Sequence, residues 1–309
     1  MSEEWTQNDI PDLGGKVVVI TGANSGLGLA STRALAAHGA DIIMACRSVE
    51  RAEAARAEVV AEVPAATITV MQLDNARLES VRAFAEAFRA RNDRLDLLLN
   101  NAGVMAVPRK LTEDGFEMQF GVNHLAHFAL TGLLLDVLTR TEGSRVHATS
   151  SGAAFRGSFN FDDLMGEDRY SRWEAYGQSK LANAAFATEL DRRLKAAGRS
   201  TIANSSHPGL VRTNLQANSL KESGSPLLER LLYGILGPLL AQEIEMGVLP
   251  QLYASVSPGA RGGAFYGPKK RRLRGYPAEQ HCNEVLDDSE TLRRLWDVSE
   301  QLTGIRYSF

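Results

Sequence analysis

Only two cysteines, Cys46 and Cys282, occur in 309 residues, and they lie far apart in the chain. That excludes a disulfide framework and fits a reducing compartment with structural or free thiols. No basic-then-apolar leader opens the sequence, because residues 1–13 carry Glu3, Glu4, Asp9 and Asp12. A membrane span is missing as well. The longest uncharged stretch, 118–135, contains Gln119, Asn123, His124 and His127 and reads as a buried helix. A cytoplasmic location is therefore expected. Internal repeats and low-complexity linkers are absent. The net charge of −3 gives no footing for nucleic acid. The basic run Lys269-Lys270-Arg271-Arg272-Leu273-Arg274 reads as an exposed loop after the last strand, with acidic lipid or nucleic acid as the alternative. His124 and His127 have metal-pair spacing, but no further ligand arrives at a matching interval, so no metal is expected.

What the chain does have is alternation. Short β-branched runs near 16–20, 41–45, 67–71, 95–99, 144–149, 200–206 and 264–266 are separated by helical patterns such as 78–91 and 176–197. Strand–helix alternation of this kind predicts an α/β fold: a doubly wound parallel sheet of about seven strands, helices on both faces, in one domain. Ligands of such a sheet bind outside the carboxyl ends of its strands.

The first strand runs into Thr21-Gly22-Ala23-Asn24-Ser25-Gly26-Leu27-Gly28 and then into a helix. A strand, a glycine-rich turn and a helix N-terminus together make a pyrophosphate site, since bare backbone N–H groups and the helix dipole both favour an anion. Gly22, Asn24, Ser25, Gly26, Leu27 and Gly28 are the candidates; the spacing is Gly-x-x-x-Gly-x-Gly, and a plain tight turn is the alternative. The second strand ends in Cys46-Arg47. An acid there would bind a ribose 2′-hydroxyl, whereas an arginine accommodates a 2′-phosphate. Arg47 thus predicts NADP(H) in preference to NAD(H), unless it merely begins the surface of the next helix. One charge-assisted bond of this kind contributes about 1.5–3 kcal/mol.

Tyr176 and Lys180 stand four residues apart in Tyr176-Gly177-Gln178-Ser179-Lys180, on one face of a predicted helix. A phenol of pKa ~10 exchanges protons poorly at neutral pH. Lowering it to ~7 takes about 4 kcal/mol of preferential stabilisation of the phenolate. A neighbouring ammonium and a positively charged nicotinamide ring are groups able to supply it.

With these motifs in order, the chain resembles the short-chain dehydrogenase/reductase family along nearly its whole length. The stretches Ala45-Cys46-Arg47, Tyr176 to Asn183 and His207-Pro208-Gly209 are similar to its retinol-dehydrogenase-like branch. The resemblance implies Asp74 at the adenine and Asn101, Ala102 and Gly103 along the cofactor. It also implies Pro208, after the sixth strand, at the cofactor, with Thr213 at the nicotinamide carboxamide. The implied catalytic set is Asn123, Ser151, Tyr176 and Lys180, with Ser150 the alternative serine. Tyr176 would serve as general acid in reduction and general base in oxidation. Lys180 would bind the ribose and lower the phenol pKa, and Asn123 would hold a water leading from Lys180 to solvent.

Segment 215–258, apolar with Gly and Pro breaks, is a candidate substrate lid or a subunit contact. Loop 152–173 is expected to form the opposite wall. The expected activity is interconversion of a small hydrophobic alcohol and its carbonyl. The competing readings are an NADPH-dependent C=C reductase, similar to protochlorophyllide reductases, and a non-catalytic NADP-sensing protein. Family members often pair through helices like 118–135 and 176–197, so a homo-oligomer is also expected.

Overall fold

The computed structural model describes residues 4–211 and 241–309. Eight strands form one sheet in the order β3-β2-β1-β4-β5-β6-β7-β8. They are β1 Val17–Thr21, β2 Asp41–Cys46, β3 Thr67–Gln72, β4 Leu97–Asn100, β5 Arg145–Thr149, β6 Ile202–Ser206, β7 Phe265–Lys270 and β8 Arg274–Gln280. All neighbours run parallel except β7 and β8. Strand order reverses between β1 and β4, which opens a crevice at their carboxyl ends.

The sheet departs from the expected seven strands at its far edge. The basic run does not leave the sheet as a loop; it turns a tight hairpin, with Lys270 opposite Arg274, and returns as β8. Gly275 and Pro277 weaken the strand signal there, yet a proline is tolerated on an edge strand whose outer side needs no donor.

Side chains alternate across the sheet with period two. Val18, Ile20, Ile42, Met44, Leu97 and Leu99 enter one core; Val19, Ile43, Leu98 and Val146 enter the other. Helices α1 Gly26–Ala37 and α2 Val49–Glu62 cover the first side. On the second lies α3 Leu78–Arg89, whose Val81, Phe84, Ala85 and Phe88 follow i, i+3, i+4, i+7 spacing.

The predicted helix at 118–135 is interrupted. A short α4 Met118–Phe120 leads into a π-helical turn at Gly121–Leu125, and then into α5 Ala126–Leu133. A short α6, Leu135–Arg140, follows. The long helix α7 spans Arg172–Ala196, one turn earlier than expected, and Ser171 caps its first turn by accepting from Glu174 N–H at 3.5 Å. Thr213 and residues 215–240 of the expected lid lie outside the described residues. The described remainder of that segment forms α8 Ile244–Gly247 and α9 Leu249–Val256. Here Val248, Leu249, Leu252 and Val256 are buried in the α1-side core.

The chain closes with α10 Ser289–Thr303, ended by Gly304 in the left-handed region at φ 66°. No helix among the described residues is long and apolar enough to cross a membrane. Cys46 and Cys282 are both buried thiols outside any disulfide. Burial raises both above the ordinary thiol range, Cys282 to about 12.

Candidate active site

A cavity of about 630 Å³ lies along the carboxyl ends of the strands. Gly22, Asn24, Ser25, Gly26 and Leu27 line it from the β1–α1 turn, Arg47 from the end of β2, and Asp74 from the end of β3. Asn101, Ala102 and Gly103 after β4, Ser151 after β5, Tyr176 and Lys180 on α7, and Pro208 after β6 complete the predicted set. Two candidates stand behind this wall. Gly28 and Asn123 support the lining without forming it.

The turn after β1 is shaped for an anion. Gly22 and Gly26 take left-handed φ values of 66° and 55°, and a Cβ on Gly26 would meet no protein atom within 4 Å. Ser25 precedes α1 without capping it, which leaves first-turn N–H groups uncovered by its side chain. Gly28 has a packing role: a Cβ there would overlap the Gly22 carbonyl and lie 2.7 Å from Asn101 Nδ2. Thr21 then ties this turn to the next. Its hydroxyl accepts from Asn101 N–H and Ala102 N–H, each at 2.9 Å. Asn101 Nδ2 donates back to the Thr21 carbonyl at 2.9 Å.

Beneath the turn lies His127. Its Nδ1 is 2.9 Å from the Asn123 carbonyl, which fixes the proton on Nδ1. Nε2 therefore accepts, from Thr21 Oγ1 and from Asn75 Nδ2, both at 2.9 Å. His124 turns away, to Ser299 Oγ at 2.9 Å. Burial holds both rings neutral, with pKa values of about 4 for His127 and about 3 for His124.

On α7, Tyr176, Ser179, Lys180 and Asn183 repeat at helical spacing along the face toward β5. Lys180 Nζ donates to the Thr149 carbonyl at 3.0 Å, and Asn183 Nδ2 donates to the same oxygen at 3.0 Å. No carboxylate among the described residues forms an ion pair with this ammonium. Burial lowers its pKa to about 8. Trp173, one turn before Tyr176, meets it edge-to-face at 6.2 Å and lines the cavity.

Asn123 sits in the π-helical turn, a feature often found at functional sites. Both hydrogens of its side-chain amide are committed, to the Val104 carbonyl and to Ser179 Oγ at 2.9 Å each. Its Oδ1 accepts from Val104 N–H at 2.7 Å. The side chain thus braces the 101–104 segment against α7. Gly103 is the contact point: a Cβ on it would lie 2.9 Å from Asn123 Oδ1 and 3.3 Å from Lys180 Nζ.

The two serines differ in their bonds. Ser150 is buried and gives its hydroxyl proton to the Lys180 carbonyl at 2.7 Å. Ser151 is half-buried and accepts from Ala153 N–H at 3.3 Å, so its own proton points to no fixed acceptor in that bond.

These residues belong to a pattern that matches beyond the site. Residues 16–224 fit the family model of the short chain dehydrogenases. The chain belongs to that family. It is 42% identical to retinol dehydrogenase 14 of Mus musculus, covering 94% of this chain and 86% of that protein. Identity to retinol dehydrogenase 12 of Homo sapiens is 41%, covering 96% and 88%. The crystal structure of an uncharacterised protein from Mycobacterium paratuberculosis superposes with a TM-score of 0.80 at 41% identity, over 99% of this chain and 100% of that one. As a short-chain dehydrogenase the protein is an oxidoreductase acting on alcohols with NAD(P).

Several lining residues were not evident from the sequence. Arg51, in the first turn of α2, lines the cavity together with Arg47, which precedes that helix; helical spacing does not relate the two, so no periodicity marks Arg51. Arg272 and Leu273 reach the other end through the unforeseen hairpin. Gln251 on α9 joins two elements: its Nε2 donates to Ser31 Oγ on α1 at 2.9 Å, and its Oε1 accepts from Thr149 Oγ1 at 2.8 Å.

Proposed function

We propose that this short-chain dehydrogenase is NADP(H)-dependent and interconverts an apolar alcohol and its carbonyl, with Tyr176 as the general acid/base. The observation that carries this reading is the shared cavity: Tyr176 and Lys180 line one part, and the glycine turn with Arg47 lines another.

The cradle fits a dinucleotide. Residues 22–27 and the α1 N-terminus would hold the pyrophosphate, and Asp74 the adenine. Arg47 and Arg51, two cations with Ser48 between them in the wall, would hold a 2′-phosphate. Asn101, Ala102, Gly103 and Pro208 would flank the nicotinamide half, and Thr213, outside the described residues, its carboxamide. When bound, the cofactor supplies the hydride. Ser151 orients the substrate oxygen by donating its hydroxyl proton. In reduction Tyr176 gives that oxygen a proton; in oxidation it removes one. Lys180 favours the phenolate by its charge and donates to the ribose hydroxyls. Asn123 keeps Lys180 and the 101–104 segment in register through Val104 and Ser179.

The retinol dehydrogenases among the relatives act on an alcohol of apolar character by name, which supports the substrate class. Met105, Val107, Met118, Val122 and Trp173 give the cavity an apolar wall. The test is Tyr176→Phe. Turnover of an apolar aldehyde should fall at least 10³-fold while NADPH still binds; unchanged turnover removes Tyr176 from its role. Fluorescence titration should show NADPH binding at least ~10-fold tighter than NADH, and the reverse order would refute the part given to Arg47.

A further inference from the structure

The β7–β8 hairpin carries an arginine that the reaction as proposed does not use. Lys270 and Arg274 pair, and Leu273 N–H donates to the Lys270 carbonyl at 3.1 Å, closing a turn with Arg271 and Arg272 at its centre. Both have positive φ, 54° and 60°. A turn of this kind favours Asn-Gly, because a side chain in the left-handed region costs about 1–2 kcal/mol. Two arginines there are a local conflict of the type found at functional sites.

The turn is fixed against the cavity wall. Leu210 N–H donates to the Leu273 carbonyl at 2.9 Å, and a Cβ on Gly209 would overlap that carbonyl and lie 2.7 Å from Pro268. Gln242 clamps it from the other side, donating to the Pro208 carbonyl at 2.9 Å and accepting from Gly275 N–H at 3.0 Å. Arg272 is thereby delivered to the rim of the cavity: it is an exposed lining residue whose guanidinium lies 4.2 Å over the ring of Phe155, which stands just outside the lining. Stacking occupies a face of the guanidinium and leaves its in-plane N–H donors directed outward. No carboxylate among the described residues pairs with it. Asp74, the one carboxylate among the described lining residues, follows β3, at the other side of the sheet. At about 4.8 Å per strand, Arg272 is also roughly 20–25 Å from the β2 end where a 2′-phosphate would sit.

Phe155 places this charge relative to the chemistry. Ser151 caps the 3₁₀ turn Gly152–Arg156, and Phe155 is four residues farther on, a rise of about 8 Å. We propose that Arg272 anchors a carboxylate at the far end of the substrate, so that the substrate is an apolar chain with a carbonyl or hydroxyl at one end and an acid at the other. This rests on the reading of the cavity as an alcohol/carbonyl site. Its contribution is a bidentate charge-assisted contact.

The test uses ω-oxononanoate, its methyl ester and nonanal as substrates with NADPH. A second measurement, titration calorimetry of nonanoate into the NADP⁺-loaded protein, does not depend on turnover. The acid should exceed its ester in kcat/KM by about 10- to 100-fold. Arg272→Ala should remove that preference by raising KM for the acid alone, weaken nonanoate by the same factor and leave NADPH affinity unchanged. Arg272→Lys should restore part of it. Nonanal turned over with acid and ester equal, and nonanoate not bound, overturns the anchor and leaves the alcohol/carbonyl reading intact. No turnover of any of the three, with nonanoate still held in an Arg272-dependent way, overturns that reading and keeps the anchor. A loss of NADPH affinity in Arg272→Ala assigns the arginine to the cofactor and overturns the proposal.

Discussion

Lys180 donates its buried ammonium to the carbonyl of Thr149, 3.0 Å away at the last residue of β5. The lysine reaches the cavity from a helix, but its position is set by the sheet. Its charge is also poised: burial brings the pKa to about 8 in the protein alone. Below that value the ammonium is present and, in the proposed role, would donate to ribose hydroxyls; above it the charge is lost. Affinity of the free protein for NADPH should therefore decline as pH rises through about 8. Titrations on both sides of that pH check this. Lys180→Met should bind more weakly and show no such step, and a step that survives in the variant belongs to another group.

Gly28→Ala should lose dinucleotide affinity and stability together. The added methyl overlaps the Gly22 carbonyl and crowds Asn101 Nδ2 at 2.7 Å, so the turn and α1 must separate. Overpacking of this kind costs about 1–3 kcal/mol. Urea unfolding and NADPH titration on the same sample measure both effects. Gly26→Ala, at a position open to the cavity, should impair NADPH binding more than its strained φ of 55° impairs stability.

Thr21→Val keeps the volume and removes the hydroxyl that joins two turns. Asn101 N–H and Ala102 N–H then lose their acceptor, and His127 Nε2 loses a donor. A fully buried group left unsatisfied costs about 1–3 kcal/mol, and the half-buried Asn101 and Ala102 cost less. The variant should unfold at lower urea with an unchanged slope, and bind NADPH less tightly because the 101–103 wall is released. Thr21→Ser should recover both.

Acid should unfold the protein through its buried histidines. His127, His147 and His207 have pKa values of about 4 in the fold and His124 about 3, all lowered by burial from 6.5. Below pH 6.5 the unfolded chain binds protons that the folded chain refuses, so stability falls as pH drops toward about 4. Each histidine contributes a slope of up to ~1.4 kcal/mol per pH unit. Urea midpoints measured across that window should decrease steadily; a flat profile would show that these rings are protonated at little cost.

Much of this architecture is legible in the chain because the signals are local. Val17-Val18-Val19-Ile20 declares a buried strand, and the glycines after it declare a turn that only a bare backbone can make. Tyr176 and Lys180 are related by one helical turn, a distance the sequence itself encodes. What escapes are features that need partners. β8 exists because β7 offers it an edge, and its Gly275 and Pro277 argue against a strand until that edge is known. Arg272 reaches the cavity only through that pairing. The π-helical turn around Asn123 has no sequence mark, and the partners that its side chain braces, Val104 and Ser179, are distant in the chain. Arg51 escapes for a related reason: Arg47 precedes α2, so helical spacing does not tie the two together.

The Ser31–Gln251–Thr149 relay links the helix that begins at the glycine turn to the hydroxyl of Thr149, the residue whose carbonyl anchors Lys180. On the proposed reading, this relay would couple the nucleotide cradle to the lysine that assists proton transfer. An engineer who shifts α1 to accept a different dinucleotide would drag the lysine's footing with it. If Arg47 and Arg51 set the preference as proposed, swapping it calls for changes on that flank, with Gln251 left alone.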